Sequence, residues 1–77
     1  MNKGRRNKLK KIQEQLEELM QELEYIREEE EASRDNLPEN LQGSTNYEKM
    51  EEAVSNLVDA VIALEEAVNS IEATIEV

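Results

Sequence analysis

Leu9, Ile12, Leu16, Leu19, Leu23 and Ile26 recur at alternating spacings of three and four. No Pro, Gly or Cys interrupts them, and the residues between are nearly all Glu, Gln, Lys or Arg. This is a heptad stripe, with Leu9, Leu16 and Leu23 in one column and Ile12, Leu19 and Ile26 in the next. A helix carrying such a stripe hides it against another helix, so the chain is expected to be all-α.

The rest of the chain supplies that second helix. Tyr47, Met50, Val54, Leu57, Val61, Leu64, Val68, Ile71 and Ile75 repeat with the same alternation. Between the stripes, Pro38 breaks any continuous helix and pushes Leu37 towards extended backbone. The expected organisation is one domain: a first helix over about 5–33, a linker over 34–45 and a second helix over about 46–76. Residues 1–4 are expected to fray. From Pro38 to Gln42 one helical turn should form, ended by Gly43, with Leu37 and Leu41 plugging the bundle end. Thr45 and Glu48 have capping-box spacing for the start of the second helix.

Two helices of similar length joined by a short connection favour an antiparallel hairpin. One register pairs Ile26 with Val54, Leu23 with Leu57, Leu19 with Val61, Leu16 with Leu64, Ile12 with Val68 and Leu9 with Ile71. These twelve residues are the expected core. A second face remains, with Met20, Ala53, Val58, Ala60 and Ala67 left partly wet by a lone hairpin. Repeated alanines let another backbone come close, so the hairpin is expected to self-associate as a homodimer, a four-helix bundle, or a larger assembly. The competing occupant of that face is a different protein.

Composition supports self-association. In 77 residues there is no Phe, Trp, Cys or His, so large aromatic core residues, disulfides and the usual zinc ligands are all missing. Chains this small commonly need staples or oligomerisation. No nucleophile–base pair can be assembled without His or Cys, and the expectation is a protein without enzymatic activity or cofactor. The longest apolar run, Ala60–Leu64, is far short of the roughly 20 residues that span a membrane. With no apolar leader after the basic start, a cytoplasmic location is expected.

Charge is split along the chain. Residues 1–11 hold six cations and no acid, whereas residues 12–77 hold three cations against all 19 acids. A basic helix start opposes the helix dipole. An antiparallel hairpin would relieve this by setting Lys8 and Lys11 within reach of Glu72 and Glu76. Arg5, Arg6, Lys8 and Lys11 are also the candidate contacts for a nucleic acid or another anion. The acid-rich remainder would repel a long polyanion, and no aromatic residue lies nearby to stack on a base. The acid-coated helix faces suggest instead a rod that competes for a basic groove on another protein.

The basic start Asn2-Lys3-Gly4-Arg5-Arg6, the linker Asn36-Leu37-Pro38-Glu39-Asn40-Leu41-Gln42-Gly43-Ser44 and the segment Met50-Glu51-Glu52-Ala53-Val54 resemble a family of small acidic helical-hairpin proteins. Those belong to phages and mobile elements of Gram-positive bacteria. The resemblance implies an accessory protein that binds and inhibits a host factor, and it carries over no site residues. In shape alone the chain is also similar to the plasmid regulator Rop, a hairpin that dimerises into a four-helix bundle and binds RNA. A nucleic-acid-binding regulator, or a sponge for a small ligand held between protomers, are the alternatives to host-protein inhibition.

Overall fold

The computed structural model describes all 77 residues, as two long helices joined by a short connection. Helix α1 spans Lys3–Asp35, a single 3-10 turn covers Glu39–Leu41, and α2 spans Thr45–Glu76. The Arg6 guanidinium, at the start of α1, donates to the Val77 main-chain oxygen, just past the end of α2, at 2.7 Å. The helices therefore run antiparallel, and the hairpin is a rod of 59 × 14 × 13 Å.

Local chemistry sets the ends. Asn2 does not fray; its side-chain oxygen accepts from the Arg5 amide at 2.8 Å, so α1 begins two residues earlier than expected. At the other end the Asn36 amide closes onto Ala32, and Pro38 prevents continuation. The 3-10 turn is tied by Leu41 N–H to the Pro38 carbonyl at 2.8 Å. Leu37 is half-buried at the bundle end, but Leu41 is exposed, so only one of the two expected plugs forms. Helix α2 is capped one residue earlier than its sequence suggests. Ser44 is extended, and its hydroxyl accepts from the Tyr47 amide at 3.3 Å. Thr45 is instead the first helical residue.

The stripe of α2 packs as expected. All nine of its residues from Tyr47 to Ile75 are at least half-buried, and Val54 and Val68 are only 8% exposed. Helix α1 corrects the expectation. Leu9, Leu16 and Leu23 do turn inward. The neighbouring inward column is Arg6, Gln13, Met20, Arg27 and Arg34, all half-buried. Ile12, Leu19 and Ile26 stay 45%, 50% and 51% exposed, so the layers pairing them with Val68, Val61 and Val54 do not form within the hairpin. Unbranched stems explain how this is tolerated. Arg and Gln bury their methylenes in the seam while the guanidinium and amide heads swing to its edge, and Met fills the column as a flexible apolar chain.

With Val54 and Val68 the only buried side chains, the seam is thin and each buried position matters. Val68→Asp places an unpaired charge in it, and should cost several kcal/mol and abolish helical circular dichroism at room temperature. Ser44→Ala should lower the free energy of urea unfolding by about 1 kcal/mol. Thr45→Ala should change it by less than half as much, whereas a Thr45 cap would reverse that order.

Candidate interaction surface

The polar column of the seam ends in an ion network near the turn. The Arg27 guanidinium donates to both Glu24 oxygens, at 3.1 and 3.3 Å, and to Glu31. Glu31 also faces Arg34 at 3.7 Å, and Arg34 pairs with Asp35 at 3.1 Å. The hydrogen bond to Glu24 holds the Arg27 guanidinium above its ordinary pKa, with added attraction from Glu31 and Glu28 and partial opposition from desolvation. Arg34 is raised in the same way, first by Asp35. A raised arginine contributes stability that is lost only above the ordinary arginine range, so both stay charged at working pH. Every ion pair of the protein belongs to this α1 network; no acid of α2 has a cationic partner.

The basic end differs from the expectation. Lys8 and Lys11 are exposed and form no bridge to Glu72 or Glu76. Arg6 and Gln13 make the cross-helix contacts in their place, to the Val77 main-chain oxygen and the Glu72 carboxylate. Arg6 there complements the negative end of the α2 dipole. Of the four candidate anion contacts, then, Arg6 is engaged within the hairpin. Arg5 and Lys8 line an open hollow with Met1, Leu9 and Thr74. Nowhere do three or more His, Cys, Asp or Glu residues converge as a metal site.

The hairpin has two flanks of opposite character. Glu24 and Glu28 share a shallow hollow with Val61 and Glu65 across the seam, and Gln13 reaches Glu72. This flank is made by residues that follow Leu23, Arg27, Leu64 and Ile71 of the seam. Ile12, Leu19 and Ile26 instead precede Gln13, Met20 and Arg27 by one position. Ala53, Ala60 and Ala67 likewise precede Val54, Val61 and Val68. At about 100° per residue, antiparallel helices bring these two triads to the same side, opposite the acidic flank.

The structure thus redistributes the expected second face. The three alanines are on it, half-buried beside the valines. Met20 has turned into the seam, and Val58, itself exposed, follows Leu57 and lies on the acidic flank. Ile12, Leu19 and Ile26 take their places. Sequence periodicity detected these three residues but assigned them to the wrong neighbour.

The outer ridge of α2 carries Glu52, Asp59 and Glu66 at heptad spacing, with Glu51, Glu65 and Glu72 beside them. All six are exposed.

Because Arg27 sits among the apolar seam residues, exchanging it for an aliphatic side chain tests what the network does. Arg27→Leu should raise the urea midpoint, since replacing an ion pair in a packed position by a hydrophobe is commonly neutral or stabilising; a lower midpoint would make the network a net source of stability. No protein-family model matches the chain, and neither curated proteins nor solved structures show a significant similarity to it.

Proposed function

We propose that the protein is a non-enzymatic accessory factor, of the kind carried by phages and mobile elements, that binds a host protein and occludes a basic site on it. The observation carrying this reading is the α2 ridge. Glu52, Asp59 and Glu66 stand about 10 Å apart along a straight helix, at 1.5 Å per residue. They have no cationic partner anywhere in the hairpin. A net charge of −10 adds long-range attraction for a positive groove.

Rigidity favours the same reading. Side chains on an uninterrupted helix are held at fixed spacing before the partner arrives, so little ordering cost remains at binding. A row of carboxylates on such a rod presents charge much as a phosphate strand does. The linker resemblance to mobile-element hairpins supports the setting, and inhibition of a host factor is the role that setting suggests. Arg6 is engaged at the Val77 oxygen, which leaves a nucleic-acid reading with fewer free cations than the sequence offers.

The test is affinity capture from a Gram-positive bacterial lysate with the intact protein as bait. A basic protein should be retained at low salt and released as ionic strength rises through the range where the Debye length falls below about 10 Å. Glu52→Lys/Asp59→Lys/Glu66→Lys should keep full helicity and lose at least about tenfold in retention. Capture unaffected by that triple change would overturn the ridge as the docking surface.

A further inference from the structure

Along one exposed line of α1 stand Lys8, Ile12, Leu19, Glu22, Ile26 and Glu29. A base opens the line and an acid closes it, with Glu22 between the last two apolar residues and Leu19 seven residues from both Ile12 and Ile26. None of Lys8, Glu22 and Glu29 joins an ion pair within the hairpin. The line is therefore one apolar column without a neighbour in the hairpin, flanked by the unpaired polar column of Lys8, Gln15, Glu22 and Glu29, and the alanine triad of α2 borders it.

We propose that this flank is closed by a second copy of the chain, reversed end for end, with the two-fold axis passing beside Leu19. The pattern itself specifies the occupant. Reversal about Leu19 lays Ile12 against Ile26 of the other copy and Leu19 against its own equivalent. It also brings Lys8 beside Glu29 and Gln15 beside Glu22. Placing the copies in the same direction would instead set Lys8 against Lys8 and Glu29 against Glu29. Like charges directly opposed are destabilising, so orientation follows from charge.

The second helix agrees. Ala60 is seven residues from both Ala53 and Ala67, so a reversal centred near Ala60 matches the alanines and lets the two α2 backbones approach. In the resulting square every helix has only antiparallel neighbours, which opposes their dipoles favourably. The hairpin also has little core of its own, with Val54 and Val68 alone buried. Covering three half-exposed branched side chains from each copy supplies one. This inference does not rest on the proposed function, because the α2 acid ridge stays outside the bundle.

The test combines mass with two sets of variants. Light scattering of the intact chain should give twice 8.9 kDa. Lys8→Glu and Glu29→Lys should each weaken association about tenfold, because each change reverses two symmetry-related pairs. The double exchange Lys8→Glu/Glu29→Lys should restore it. The chain has no cysteine, so Leu19→Cys should cross-link to itself on oxidation. Ile12→Cys should cross-link with Ile26→Cys and not with itself. A monomeric mass, no rescue by the double exchange, or efficient self-linking of Ile12→Cys would each overturn the proposal. None of these outcomes bears on capture through Glu52, Asp59 and Glu66, so the two readings fail separately.

Discussion

A two-helix hairpin has one line of contact, and everything about this protein follows from what that line can and cannot cover. Each helix can turn about a quarter of its circumference towards the other. Helix α2 offers one stripe of large apolar residues, and that stripe is used in full. Helix α1 offers a leucine column with apolar neighbours on one side and polar, long-stemmed neighbours on the other. Only one side can join the seam. The hairpin takes Gln13, Met20 and Arg27 inward and leaves Ile12, Leu19 and Ile26 out.

That choice runs against a simple count of apolar area, and side-chain length explains why it is available. An arginine stem buries three methylenes and still delivers its guanidinium to the edge, where Glu24 and Glu31 meet it. Gln13 does the same towards Glu72. An isoleucine in the same column would contribute more by burial but would have no directional partner. Polar groups in a helical seam commonly set register and neighbour choice at some expense of stability. Here they also release the branched residues to the opposite flank, where the alanines of α2 leave room for another helix.

Most of the fold was legible in the sequence because its strongest signals are local. Pro38 stops α1, the nine-residue stripe defines the inner face of α2, and the connection is too short for anything but a hairpin. The two misplacements that matter most are a one-residue and a one-column shift. Ser44 and Thr45 are adjacent hydroxyls, and only the extended backbone at Ser44 decides which one caps. Ile12 and Gln13 are adjacent columns, and a rotation of α1 by less than a third of a turn exchanges them. Periodicity fixes which residues are apolar together but not which of two flanking columns faces a given neighbour. The acid ridge was legible as composition; that it has no internal partner is a property of the folded hairpin, whose ion pairs all form on α1.

Separation of the two surfaces has its own physical logic. A flank closed by apolar contact gains strength from being dry, whereas a carboxylate ridge gains reach from being wet and weakly screened. Mixing them on one face would bury charge without a partner, which costs far more than either surface contributes. Antiparallel helices solve this geometrically: residues one step before the valines and residues one step after the leucines fall on opposite flanks, and the outer ridge faces neither. A chain whose heptads hold branched residues before the seam and acids after it therefore keeps an apolar flank and a charged flank apart on the same two helices. A substitution in one set leaves the other in place.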